Sequence, residues 1–470
     1  MICVSVTSSS RQLIKVDLLN AARSADMVEV CVDHLIKEPD YADIYKTVDK
    51  PILVSCRRAE DGGAWQGTED ERLVRLRQAI VAGPDYVELE LDIAGKIPRF
   101  GSTQRVISYT CKKGILGNVD EVFAQAKKVH ADVVKFVWPT PTLNAAWPLL
   151  AAVTKKRDLP VVGTGVGEAG TTFSLLARKY DSPWVYASLE KGMEAHADLV
   201  TVHELDEVYR WDSLNRKTPF VALTGFGSEE TALIESLNER FAEQATQARC
   251  LPMPVGKMDK LSKMLEVLGI ETILVGPLES RRFCEFADRR DGDARATGTA
   301  DVLRRHSDGW HASNSFTRLA LNALEDVLPP AKGETDPLAR RQVLLIAGDD
   351  RARAIGRLMA GRAGMINVTS IDDDFAKTVA RELDARYISF RGVYESISEI
   401  IVIADPNLEI GPGRLQLNPG FFRPNMTVLD LIRTGESVFL KEAVDRESRV
   451  VGSEQIRAAL TTAYAEAIRT

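Results

Sequence analysis

The chain of 470 residues lacks the features that would tie it to a membrane, a nucleic acid or a metal. No apolar run reaches the ~18–20 residues that a membrane-spanning helix needs. The opening segment MICVSVTSSS has no basic-then-apolar layout of a signal peptide and runs straight into a strand-like pattern, so cytoplasm is the expected compartment. Basic residues are not in excess: 60 Lys and Arg face 67 Asp and Glu, a net charge of −7, which argues against nucleic acid or an anionic membrane as partner. The six cysteines (Cys3, Cys31, Cys56, Cys111, Cys250, Cys284) show no CxxC spacing, and the six histidines show no HxxxH or HExxH pattern. No metal site is expected from them. Internal repeats and low-complexity tracts are also missing. What remains is an ordinary globular composition, 45% hydrophobic and 27% charged, long enough for two or three domains.

The first half has a regular beat. Short β-branched runs (ICVSVTS at 2–8, MVEVCVDHL at 27–35, PILVSCR at 51–57, YVELELD at 86–92, RVISYTC at 105–111, VVKFVWP at 133–139, PVVGTGVG at 160–167 and WVYASL at 184–189) alternate with amphipathic, charge-rich segments. Eight β/α beats in about 200 residues suit a closed (β/α)₈ barrel better than an open sheet. A polar stretch at 208–219 reads as a linker. The beat then restarts with FVALTGF, ARCLPMPV and TILVGPL, and DRRDGDARATGT at 288–299 reads as a solvated loop of mixed charge. After a second punctuation, PPAKGETDPLARR at 329–341, five runs (VLLIAGDD, MINVTSID, ARYISF, EIIVIADP, TVLDLI) read as parallel strands of a doubly wound sheet. The predicted α/β domains are 1–215 (TIM barrel), 218–328 (a smaller α/β domain) and 329–470 (Rossmann-like, closed by a helix).

In a β/α barrel the reactive groups sit at the C-terminal ends of strands. Lys135 interrupts the apolar run ADVVKFVWP. A lysine in a buried strand is costly to desolvate, which favours the neutral amine that Schiff-base chemistry requires; on spacing alone, a lysine whose head snorkels to the rim is an equally good reading. Glu29 lies in the second strand and Arg57 ends the third. CRRAEDGG then adds Glu60 and Asp61 ahead of two glycines that permit a tight turn. Singly, each is more often a rim ion pair; together they form a cluster at the barrel mouth.

The segments VEVCVD, SCRRAEDGG, ISYTCKKG, ADVVKFVWP and GVGEAGTTFSLLARKYDSPWVYASLEKG resemble, in order and at the right intervals, the strand-end motifs of type I 3-dehydroquinate dehydratases. The resemblance covers roughly residues 1–215. A dehydratase followed by a shikimate dehydrogenase-like half also matches the bifunctional fusions of that family. The resemblance implies covalent chemistry: a strand-six lysine, here Lys135, condenses with the ketone of 3-dehydroquinate, a strand-five histidine moves protons, and water leaves. It makes Glu29, Arg57 and Asp61 substrate-binding residues, and it allows a homodimer.

The departures from the family pattern fall on the chemistry. The strand-five S-Y-H reads Ser108-Tyr109-Thr110, so the proton-transfer histidine is a threonine, which exchanges no proton near neutral pH. The glutamate of the EGG turn is Asp61, and the strand-two arginine falls at Cys31. The arginine of the GxxGxxSR motif falls at Ser174, and the serine and glutamine after strand eight at Ala195 and Leu199. His34 and His130 lie away from strand ends. His196, in the loop after strand eight, is the least implausible substitute acid or base.

The second half departs similarly. Glu279 in VGPLES stands where shikimate dehydrogenases carry the lysine, and Phe316 in SNSF where they carry the aspartate. The glycine-rich dinucleotide turn is replaced by AGDDRARA, with Asp349 and Asp350 in place of glycines. Each carboxylate beside a phosphate would cost on the order of a few kcal/mol. The NADP-gripping N-R-T motif reads TSID. Arg351 and Arg353 either salvage some anion binding or are ordinary helix-surface residues. No cofactor is expected. The function implied is a 3-dehydroquinate dehydratase-like lyase working through a Lys135 Schiff base, with an inactive dehydrogenase-like half. The alternatives are a catalytically silent binding or scaffold relative, and Schiff-base chemistry on a smaller or less charged carbonyl compound.

Overall fold

The computed structural model describes residues 1–111, 119–196, 198–329, 333–414, 416–433 and 437–469. Lys112 and Lys113 of the strand-five motif, and residues 330–332 of the second punctuation, lie outside them. The eight apolar runs of the first half become β1 (Ile2–Val6), β2 (Met27–Cys31), β3 (Ile52–Ser55), β4 (Tyr86–Glu90), β5 (Gln104–Thr110), β6 (Val133–Pro139), β7 (Val161–Val166) and β8 (Val185–Ser188). They are ordered β7-β6-β5-β4-β3-β2-β1-β8, with every ladder parallel. The Ser182 hydroxyl lies 3.0 Å from the carbonyls of both Val161 and Trp184, linking the lower ends of β7 and β8. The result is a nearly closed eight-stranded β/α barrel, as the beat of the sequence predicts. The connecting helices form for local reasons. Glu69–Val81, for example, opens with a reciprocal Thr68–Glu71 capping box and turns Leu73, Leu76, Ala79 and Ile80 inward.

Strand alternation builds the interior in layers. Cys3, Met27, Leu53, Val106, Val133, Val162 and Trp184 pack as one apolar cluster with Tyr86 against it. Two residues further along the same strands, and therefore on the same side, come Ser5, Glu29, Ser108, Lys135 and Glu88. The layer above the apolar floor is thus polar, and its members are buried.

The chain divides into two compact units. The first is residues 1–220 together with 247–269; the second is 221–246 together with 270–470. The segment 247–269 joins the barrel through its backbone: Leu143 N–H donates to the Pro254 carbonyl at 2.8 Å, and Lys179 Nζ to that of Leu268 at 2.8 Å. The 208–219 stretch is not a loose linker. Tyr209, Trp211 and Leu214 are buried, and Arg178 Nε donates to the Leu214 carbonyl at 3.2 Å.

In the second unit, a mixed sheet pairs Ile270–Val275 antiparallel to Val302–His306, which pairs antiparallel to Gly309–Ser313. A second sheet has the parallel order Arg386–Tyr387, Met365–Thr369, Gln342–Ala347, Ile400–Ala404, Thr427–Asp430, Arg449–Val451. This is the doubly wound arrangement expected, with one strand more than the sequence revealed. The division expected at 328/329 does not separate compact units. Ala320, Leu321 and Leu324 of the helix Ser315–Val327 share one apolar cluster with Val343, Leu345, Ile355 and Leu429. The stretch 288–299 is also more ordered than expected: Asp291 caps a short helix, Gly292–Thr297, through Ala294 N–H at 2.6 Å, and Ala294 and Thr297 are buried.

Candidate active site in the barrel mouth

Lys135 has no exposed surface. Its ammonium donates to Glu88 Oε2 at 2.8 Å and stands 4.1 Å from the centre of the Tyr186 ring. The lysine is therefore neither a snorkelling rim residue nor a bare amine in an apolar pocket. It is one half of a buried ion pair, and Glu88 is the residue that sequence reading missed. In YVELELD two glutamates alternate with leucines, and the strand ladder sets Glu90 rather than Glu88 in register with Ser108 and Lys135, so the Glu88 contact is visible only in the folded barrel.

Beside this pair lies a second one. Arg57 Nη1 is 3.9 Å from Glu29 Oε1, while the Ser5 hydroxyl donates to the other Glu29 oxygen. Burial alone would raise the Glu29 carboxyl; the Arg57 and Lys135 charges and the Ser5 hydrogen bond overcome this and hold it at about 2. Arg57 Nη2 donates to Cys31 Sγ at 3.3 Å, so the cysteine that stands in the place of an arginine has become a partner of the remaining one.

His196 meets the same guanidinium, with Arg57 Nη1 2.6 Å from His196 Nε2. A guanidinium only donates, so Nε2 accepts and the imidazole proton sits on Nδ1. Burial, then the charges of Arg57 and Lys135, push the imidazole well below its ordinary range, and it is neutral at physiological pH. The loop after β8 thus brings His196 over the buried pairs.

Above them opens a mouth of about 910 Å³, lined among others by Thr110, Val137, Trp138, Asp61, Glu194 and His196. Asp61 is at its rim, held by Arg58 Nε at 2.6 Å, while Arg58 also reaches Asp92 at 2.8 Å. The double glycine turns as expected. Gly62 has φ +83° against the His196 ring, and a Cβ on Gly63 would stand 2.2 Å from the Arg57 carbonyl oxygen. Three buried polar atoms facing this interior, Arg57 Nε, Thr164 Oγ1 and Ser188 Oγ, have no hydrogen-bond partner among the described residues. Such atoms cost roughly 1–3 kcal/mol each, so the interior is built for a polar occupant rather than for stability. His34, by contrast, leans on Asp33 at 3.6 Å. His130 closes a turn with φ 59°, and Ser174 is buried with its hydroxyl on the Gly170 carbonyl.

Residues 2–216 match the family model described as type I 3-dehydroquinase. The barrel is therefore similar to type I 3-dehydroquinases over nearly its whole length. Among curated relatives, the chain is 23% identical over 383 residues to the chloroplastic bifunctional 3-dehydroquinate dehydratase/shikimate dehydrogenase of Arabidopsis thaliana, covering 76% of this chain and 62% of that protein. It therefore spans somewhat less than two thirds of that relative. It is 29% identical over 192 residues to the 3-dehydroquinate dehydratase of Methanothrix thermoacetophila, covering 40% of this chain and 83% of that one. Among solved structures, the dehydroquinate dehydratase and shikimate dehydrogenase of S. pombe aligns over 97% of this chain and 93% of its own, with 15% identity and a TM-score of 0.40.

Outside the barrel, the positions expected to carry redox chemistry are otherwise engaged. Glu279 pairs with Arg282 at 2.9 Å. Phe316 offers only its backbone N–H, which donates to Asp301 at 2.5 Å. At the turn after Gln342–Ala347, Asp349 caps the helix Asp350–Met359 by accepting Arg351 N–H at 2.9 Å, and its other oxygen holds Arg351 Nη2 at 2.7 Å. Asp350 holds Arg353 at 2.8 Å. A Cβ on Gly348 would collide with the Asp405 carboxyl at 2.5 Å. Three carboxyl groups thus crowd the helix N-terminus where backbone N–H groups would receive a pyrophosphate.

The low Glu29 value sets a pH test. A carboxyl held below its unfolded value of 4.5 contributes stability above that pH and loses it as pH falls towards 2. Acid denaturation of the wild type should steepen in that window, and Glu29→Gln should flatten it while lowering stability at pH 7. An unchanged acid profile in Glu29→Gln, read by circular dichroism, contradicts the assignment.

Proposed function

We propose that the barrel is a Schiff-base lyase of the 3-dehydroquinate dehydratase type, converting 3-dehydroquinate to 3-dehydroshikimate through Lys135. The observation that carries this reading is the fully buried Lys135–Glu88 pair beneath the mouth. In this reading the ammonium gives a proton to Glu88, and the freed amine adds to the ketone carbon. Water then leaves to give an iminium, which acidifies the neighbouring C–H. Loss of that proton, followed by departure of the β-hydroxyl as water, forms the enone; hydrolysis returns the lysine.

Proton removal falls to His196. Its accepting nitrogen is occupied by Arg57, the cation available for the substrate carboxylate. A carboxylate that draws Arg57 away frees Nε2 in the same movement, so binding and base activation are one event. Thr110 lies in the mouth where the family's histidine would stand and lends no proton transfer, so turnover is slow. We further propose that the second unit binds no NADP, because its carboxylates fill the place of the phosphates. The loss of the strand-five histidine favours one second reading, a silent relative that binds without turnover.

Enone absorbance after addition of 3-dehydroquinate separates these readings. Slow formation that vanishes in Lys135→Ala and falls in His196→Asn is expected. General acid–base catalysis contributes typically ~10²–10⁴-fold, so Thr110→His should raise the rate by at least about tenfold. No enone from either the wild type or Thr110→His supports the silent reading.

A further inference from the structure

A cavity in the second unit encloses about 760 Å³ not filled by protein atoms. Much of its wall is apolar, with Phe226, Leu233, Phe316 and Leu460 among the lining residues. The charges around it mostly cancel in pairs. Arg351 lies on Asp349 at 2.7 Å, Asp350 on Arg353 at 2.8 Å, and Arg457 on Glu229 at 3.5 Å. Asp301 is the exception. Its side chain is buried in the same wall, and its oxygens accept the N–H groups of Ser315 at 2.9 Å and Phe316 at 2.5 Å. The buried Tyr464 hydroxyl also meets it. Among the described residues it has no cationic side chain within ion-pair distance.

The backbone N–H groups of Ser315, Phe316 and Asp301 and the Tyr464 hydroxyl all reach the Asp301 carboxyl, and none of these donors carries a charge. A buried charge is stable only when paired. A cation delivered into this cavity supplies the missing charge, and the apolar wall covers an apolar body. We propose that this cavity binds a primary organic amine, its ammonium on Asp301 and its apolar body against Phe226, Leu233 and Leu460. The positions where a shikimate dehydrogenase-like half would hold its lysine and aspartate, Glu279 and Phe316, lie at or next to this cavity. The proposed occupant is thus a cation rather than a carboxylic acid. The site is independent of the barrel chemistry.

Burial raises the Asp301 carboxyl to about 7, so amine binding should strengthen between pH 6 and pH 8 as it ionises. The other charged groups facing the cavity, Glu229, Asp350, Arg351 and Arg457, are paired as described.

The test uses the full chain with 2-phenylethylamine as probe and 3-phenylpropionate as the anionic control, read by calorimetry and saturation-transfer NMR. The amine should bind at pH 8, bind more weakly at pH 6, and lose about tenfold or more in affinity in Asp301→Asn, with its pH dependence abolished. If Asp301→Asn does not fold, Leu460→Trp serves instead; by filling the apolar wall it should abolish amine binding. No binding of the amine, equal or tighter binding of the acid, or undiminished binding in Asp301→Asn or Leu460→Trp overturns the proposal.

Discussion

The first unit is organised around a buried ion pair, Lys135 with Glu88, set into the middle of a barrel whose floor is apolar. Two charges removed from water gain little net stability even when well paired, and a hydrophobic replacement of similar volume is often as stable or more so. A fold that keeps the pair therefore keeps it for chemistry or specificity. The neighbouring groups support that view. Arg57, Glu29, Cys31 and His196 form a second network directly beside the lysine. Several hydroxyl and guanidinium atoms around it are buried without partners among the described residues. A chain drifting freely would be expected to replace such groups with aliphatic ones.

In the proposed reading, the same network supplies a route for protons in a site that has Thr110 where the family's histidine would stand. Arg57 holds His196, and under the proposal it is also the counter-charge for an acidic substrate, so an anion competing for the guanidinium would release the imidazole. The ammonium of Lys135 likewise has its acceptor in place. The proposal thus assigns to fewer side chains the work that the resembled family divides among a histidine, a glutamate and several arginines. In the second unit the opposite has happened. Carboxylates, each capped or paired, occupy the turn that a dinucleotide would need.

Much of this was legible in the sequence. The eight strands were readable because β-branched runs at regular intervals admit few other folds, and Lys135 because a single charge inside an apolar run is conspicuous. Glu29 followed from its charge inside the second apolar run and Arg57 from its place at the end of the third. Glu88 did not, because alternating glutamates look the same whether they face a barrel interior or solvent; only the closed barrel brings Glu88 to the lysine. Asp301 was hidden for a similar reason, as its burial depends on the helix Ser315–Val327 closing over it. That helix also concealed the unity of the second unit, since an apolar helix face does not reveal which sheet it covers. The 288–299 stretch was misread because its dense mixed charge masked a capped helical turn.

The central claim is that Lys135, although ion-paired and sealed, forms an iminium with a ketone substrate. Borohydride reduction in the presence of 3-dehydroquinate, followed by intact-mass and peptide mapping, tests it most directly. A reduced adduct on Lys135, lost in Lys135→Ala and diminished in Arg57→Ala, is the predicted result. An unmodified chain under conditions that trap a known type I dehydroquinase would contradict it.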